Sequence, residues 1–308
     1  MKTTAAILLF FSCLLSAQTP PAPAPPQSPV PPQIKQAQEL NNEGKQAEAL
    51  AILNQMLASD PKSYQANLNA GIVSDLMGDY TKARTYLEKA IELAPPDRRV
   101  QALRTTAVSY AFQCNLPQAT KYEQEAFDAQ VKDQKFTDAA GTANELARID
   151  LECGDIAAAS KWYQTGYDTA MRAPNLSDAD RDLWNFRLQN AKARIAARQG
   201  KHSEATADEA AAKAILDKGK IPDQQRFYPY LVGYVAFYAG DYKIAIDQLQ
   251  KADQKDPFIL VLLAQAYEKS GNPAEASKYY KQVMTINSHN PTNAFARPLA
   301  KKQLGIAG

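Results

Sequence analysis

The stretch "GDYTKARTYLEKAIELAP", Gly78 to Pro95, is written a second time, with many changes, as "GDYKIAIDQLQKADQKDP" from Gly240 to Pro257. Each copy reads as a turn, a helix and a stop. The glycine lets one helix end and the chain reverse tightly. Ala83, Leu87 and Ala90 then fall at helical spacing on a single face, and small residues on that face let a neighbouring helix approach. Pro95 cannot continue the helical hydrogen-bond ladder.

The same joint recurs along the chain. The small residues that open the second helix of each unit are Ala49, Ala83, Ala119, Ala159, Ala205, Ala245 and Ala276, spaced by 34, 36, 40, 46, 40 and 31 residues. A turn glycine precedes all but one of them, at Gly44, Gly78, Gly154, Gly200, Gly240 and Gly271. The third unit has "CNLP", Cys114 to Pro117, in its place. Everything after Gln33 places apolar residues three and four apart, and no alternating strand pattern appears, so the fold class is all-α.

This spelling resembles the tetratricopeptide repeat (TPR) family, whose units are helix pairs of about 34 residues. The match is closest at Gly71, Gly78, Tyr80, Ala83, Ala90 and Pro95, and at Gly233, Gly240, Tyr242, Ala245, Ala252 and Pro257. The resemblance implies a right-handed α-solenoid of about seven TPR-like helix pairs over residues 33–289, with residues 290–308 as a C-terminal capping helix and tail. In that tail Phe295 and Leu299 are expected to face inward. The middle three units depart from the pattern. They read as pairs with longer helices or links, or as a break between two short arrays at the longest interval.

The N-terminus differs in composition. Lys2 is followed by the apolar run "AILLFFSCLLSA", which ends in Ser16 and Ala17, the pattern of a signal peptide over residues 1–17 cleaved after Ala17. Cys13 raises the alternative of a lipid anchor, although Phe10 and Phe11 stand where a lipoprotein signal wants other residues. Residues 18–32 include "PPAPAPPQSPVPP", an extended polyproline spacer. No later stretch approaches a membrane span. Localisation is thus expected to be exported, periplasmic or extracellular.

Without the leader the chain carries 34 basic (35 less Lys2) and 33 acidic residues, a net of +1, which gives no electrostatic reason to bind nucleic acid. No metal-ligand spacing, phosphate-binding glycine loop or nucleophile motif occurs, so neither cofactor, metal nor enzymatic activity is expected. His202 and His289 read as exposed turn residues. Ser177 reads as the N-cap of the helix opening with "DADRD", which competes with use of "NLS" as a glycosylation sequon. Cys114 and Cys153 fall near the ends of first helices in neighbouring units, and stacked helices lie about 10 Å apart. A bridge fails beyond about 7 Å, so two buried free thiols are favoured over a disulfide.

In the family it resembles, first helices line a concave groove. Helical periodicity then turns Arg104, Asn144, Arg148, Asn190, Arg194, Arg198, Tyr230 and Tyr234 toward the inside. Guanidinium forks bind carboxylates, asparagines pair with peptide groups, and tyrosines add apolar area with a polar tip. Phe227, Val232 and Phe237 read as core between repeats. The expected partner is a protein or an extended, somewhat acidic peptide, bound by an envelope scaffold. The alternatives are a lipid-anchored subunit of an outer-membrane assembly, pilus or secretion machine, and a carbohydrate- or cell-wall-associated module in which the tyrosines stack on sugars.

Overall fold

Five of the seven second helices start at a capping side chain that the sequence supplies, the exceptions being those that follow Lys45 and Lys201. The carboxylates of Asp79, Asp155 and Asp241 and the side-chain amides of Asn115 and Asn272 accept the free backbone N–H three residues on. Each of these caps follows the residue that turns the chain. Gly78 adopts φ 97°, and Asp79 N–H donates back to Ser74 O at 3.0 Å. In the third unit Cys114 itself takes the left-handed conformation, φ 49°.

The computed structural model describes residues 30–306. The expected leader, and all of the proline-rich spacer before Val30, lie outside the described residues. From Pro32 onward seven helix pairs follow. They are α1 (Pro32–Asn42) with α2 (Gln46–Ser59), α3 (Tyr64–Met77) with α4 (Tyr80–Leu93), and α5 (Arg99–Ala111) with α6 (Leu116–Lys132). The middle of the chain holds α7 (Phe136–Cys153) with α8 (Ile156–Ala170), and α9 (Asp178–Arg198) with α10 (His202–Asp217). A 3-10 turn at Pro222–Phe227 leads into α11 (Tyr228–Ala239) with α12 (Tyr242–Lys251), then α13 (Pro257–Lys269) with α14 (Pro273–Met284), and a last helix α15 (Pro291–Gln303). No strand occurs among the described residues.

Two of the irregular middle intervals come from long helices, with α7 at 18 residues and α9 at 21, and the third from the link between α10 and α11 that holds the 3-10 turn. There is no break: Ala147 and Leu151 of α7, Ala159 and Tyr163 of α8, and Ala191 and Ile195 of α9 share one apolar cluster. Ser177 caps α9 in a reciprocal box with Asp180.

The seven joint alanines are at most 2% exposed. Two first helices go further. A Cβ on Gly71 would stand 2.5 Å from Leu87 Cγ, and one on Gly233 would stand 2.7 Å from Leu249 Cγ.

The two ends of the solenoid meet. Asn287, in the segment leading to α15, accepts from Gln46 Nε2 at 2.8 Å, and Arg297 Nε of α15 donates to Leu76 O at 3.0 Å. Ala294 is buried in one cluster with Leu76, Leu103 and Ala107. His289 is not the exposed turn residue expected. Its side chain is 5% exposed, packs on Phe112, and its Nε2 lies 2.8 Å from Asp75 Oδ2, whose other oxygen accepts from Ser109. Phe295 and Leu299 pack against the C-terminal core as expected, while Lys301 turns back to Met77 O at 3.2 Å.

Cys114 and Cys153 form a disulfide, with Cα atoms 5.4 Å apart, which corrects the reading of two buried thiols. The two are not at equivalent points. Cys114 replaces the turn glycine of its unit and is exposed, whereas Cys153 precedes its own turn glycine, and this offset shortens the distance.

The packing at Gly71 and the open space at Gly141, where nothing lies within 4 Å of an added Cβ, make opposite predictions. Gly71→Ala forces α3 and α4 apart and lowers stability by about 1–3 kcal/mol. Gly141→Ala, in the middle of α7, raises it by about 0.5–1 kcal/mol. Unfolding curves in urea read both.

Candidate functional site

Three first helices carry polar stripes at four-residue spacing, so that each stripe lies along one face. On α7 it is Asn144, Arg148 and Glu152, on α9 Asn190, Arg194 and Arg198, and on α11 Tyr230, Tyr234 and Tyr238. Side by side they enclose a cavity of about 540 Å³ whose lining includes Asn144, Arg148, Asn190, Arg194 and Tyr230. Five of the eight residues read from the sequence therefore meet at one place.

The other three do not line it. Arg198 lies one helical turn beyond Arg194, where its Nη1 donates to Glu152 at 3.0 Å and to Tyr238 Oη at 3.2 Å. Tyr234 is 0% exposed and packs against Phe258 and Tyr238 as core. Arg104 belongs to a second cavity of about 500 Å³ and is ion-paired with Glu145. The aromatic run before Gly240 turns a different face inward from the one expected. The buried face of α11 is Tyr230, Leu231, Tyr234 and Val235, Val232 and Phe237 are half-buried, and Phe227 is 36% exposed at the cavity's edge.

Glu152 and Tyr163 are the residues that sequence reasoning missed. Glu152, whose side chain is 4% exposed, takes Arg148 Nε at 3.2 Å and Arg198 Nη1 at 3.0 Å, so one carboxylate serves two guanidiniums. The i, i+4 spacing of Arg148 and Glu152 was available as a signal. Tyr163 comes from α8, a second helix, and accepts from Arg194 Nη2 at 2.9 Å.

Arg148 and Arg194 thus have structural partners. Arg148 covers the Phe258 ring, its Cζ 4.6 Å from the centroid. Arg194, 5% exposed, is held by Asn190 Oδ1 at 3.0 Å and by the Tyr163 hydroxyl. Four buried polar atoms of lining residues have no hydrogen-bond partner among the described residues: Asn144 Oδ1, Arg148 Nε, Arg194 Nη1 and the Tyr230 hydroxyl. Burial pushes the Tyr230 phenol up to about 12, against the pull of Arg148 and Arg194, so it is a neutral O–H donor at physiological pH. Arg187, Arg226 and Phe227 stand exposed at the mouth. Gly166 of α8 lets Asn144 pack closely, since a Cβ there would meet Asn144 Oδ1 at 2.5 Å. No group of His, Cys, Asp and Glu with the makings of a metal site occurs among the described residues.

Stacked helix pairs whose first helices line an inner surface define an α-helical repeat scaffold. Two segments, residues 40–106 and 259–290, match models described as tetratricopeptide repeat. Those two segments are tetratricopeptide repeats. Among solved structures the chain is similar to a tetratricopeptide repeat protein from Parabacteroides merdae ATCC 43184, with 12% identity, 89% of this chain and 96% of that one covered, and a TM-score of 0.53. It is also similar to the apo form of RapI, with 10% identity, 89% and 98% coverage, and a TM-score of 0.55. At those identities the likeness is one of fold. No curated protein matches the chain at a significant level.

Beside the second cavity, Glu123 is 0% exposed and neither of its carboxylate oxygens has a partner among the described residues. Burial first, then the neighbouring Glu145 carboxylate, hold its carboxyl well above the usual range, against the pull of Arg104. An unfolded glutamic acid ionises near 4.5, so above that pH the unfolded chain releases a proton that the folded chain keeps. The folded state is therefore favoured most below that pH and loses ground as pH rises toward the folded value. Glu123→Gln removes this loss. Thermal unfolding of the variant is expected to exceed wild type by about 2 °C or more at pH 8 and to converge with it near pH 4.

Proposed function

We propose that the protein is a non-enzymatic scaffold of the bacterial cell envelope that recruits a protein partner through the inner face of its middle repeats. The observation that carries this reading is the cavity between α7, α9 and α11, where buried donors stand without partners behind a mouth of exposed Arg187, Arg226 and Phe227. An acidic segment with an apolar anchor suits that mouth. The groove is not free along its length, because α15 and the segment before it pack on α3 and α5. The partner accordingly engages the middle of the array and does not thread the whole of it.

Two observations support export. The N-terminal apolar run ending at Ala17 has the form of a signal peptide, and the exposed Cys114–Cys153 bridge suits an oxidising compartment. The carbohydrate reading loses its basis, since Tyr230 is 8% and Tyr234 is 0% exposed and neither offers a stacking face.

Reversing the buried arginines would unfold the site along with any function, so the test belongs at the mouth. With residues 18–308 as bait in an envelope extract, Arg187→Glu together with Arg226→Glu is expected to remove captured proteins while the thermal unfolding midpoint stays within about 2 °C of wild type. Unchanged capture would rule out this mouth as the recruiting surface. Mass spectrometry of the mature N-terminus is expected to read Gln18, whereas an acylated Cys13 would move the protein to the membrane as a lipid-anchored subunit.

A further inference from the structure

The charges around the cavity do not balance. Arg148 and Arg198 share Glu152, and Arg148 also feels the Asp256 carboxylate. Arg194 has only neutral partners, the Asn190 amide and the Tyr163 hydroxyl, although it is 5% exposed. It also lies close enough to Arg148 to be repelled by it. A buried guanidinium without a carboxylate is costly, and an anion arriving beside it recovers that cost. The donors left over point the same way. Arg194 Nη1, the Tyr230 hydroxyl and Arg148 Nε have no hydrogen-bond partner among the described residues. Three of the four unpartnered atoms on the lining are N–H or O–H groups, and the one acceptor, Asn144 Oδ1, packs against Gly166, so the missing group is an oxyanion with at least two oxygens. Tyr163, Phe186 and Phe227 give the wall an aromatic part, beside Gln224 and the two arginines of the mouth, Arg187 and Arg226. A volume of about 540 Å³ holds more than an inorganic ion.

We infer that the cavity between α7, α9 and α11 binds a free carboxylate carried on an apolar or aromatic body, with Arg194 and Tyr230 holding the oxygens and Arg148 beside them. The three stripe arginines, Arg148, Arg194 and Arg198, face two carboxylates, Glu152 and Asp256. The one missing negative charge matches a monoanion, with Arg187 and Arg226 exposed at the mouth, and an apolar body matches the aromatic rings. The inference rests on the reading of this cavity as the working part of the groove, and it adds the chemistry of what enters. Such a carboxylate is found at the end of a peptide chain and on a small organic acid.

Calorimetric titration of the purified protein separates these cases. The probes are 3-phenylpropanoate, its amide 3-phenylpropanamide, N-acetyl-L-phenylalanine and inorganic phosphate. Both acids are expected to bind about tenfold or more tightly than the amide, the difference that one charge-assisted hydrogen-bonded pair supplies. Tyr230→Phe deletes only an unpartnered hydroxyl and leaves the fold intact. It is expected to weaken both acids about tenfold and to leave the amide unchanged. If N-acetyl-L-phenylalanine binds the tighter of the two acids, the carboxylate is that of a peptide end; the reverse order makes it a free organic acid. Equal binding of acid and amide, an unaffected Tyr230→Phe variant, or phosphate binding tighter than either acid would each overturn the inference. Acid binding together with failed capture at the mouth would uphold the pocket and remove the scaffold reading, whereas capture without acid binding would do the opposite.

Discussion

Each helix pair closes because a small residue sits where two axes come nearest. At Gly71 and Gly233 the partner leucine occupies the space a Cβ would need, and the joint alanines of the second helices are almost wholly buried. Close approach at these points orients everything else. The second helix lies against the first along one side, and the opposite side of the first helix is left to face inward. A polar stripe on that inner side can then persist without disturbing the packing, because the packing residues are on another face.

Three such stripes make the site, and one carboxylate organises them. Glu152 pairs with Arg148 on the cavity wall and with Arg198 beyond it, so both guanidiniums have a carboxylate partner. Arg194, one helical turn away from Arg198, is held by neutral groups and retains an unpaired nitrogen on the cavity. Residues of the same type on the same stripe therefore have different standing. The cause is the distribution of a single negative charge.

The solenoid also uses its own C-terminus. Arg297, His289 and Asn287 reach residues more than two hundred positions earlier, and their contacts are largely hydrogen bonds to backbone and polar side chains. This closure covers part of the inner surface of the first repeats and leaves the middle open. The position of the open cavity is thus a property of the whole array.

The turns, the Ser177 cap, the alanine face and the number of helix pairs were legible in the residues, because each depends on local contacts or repeats along the chain. The inward direction of α7 and α9 was legible too, since charge on one face and alanine on the other mark the rotation. On α11 that mark is missing: "YPYLVGYVAFY" is apolar all round, so nothing local showed that Tyr234 would be core and Phe227 exposed. The disulfide, the buried His289, the sharing of Glu152 and the filling of the groove by α15 each join residues from different helix pairs, from 39 to 214 positions apart for the bridge and for His289. Local spelling settles the joints of a repeat protein. The pitch of the stack settles which of its polar side chains meet, and that pitch is a sum over every interface in the array.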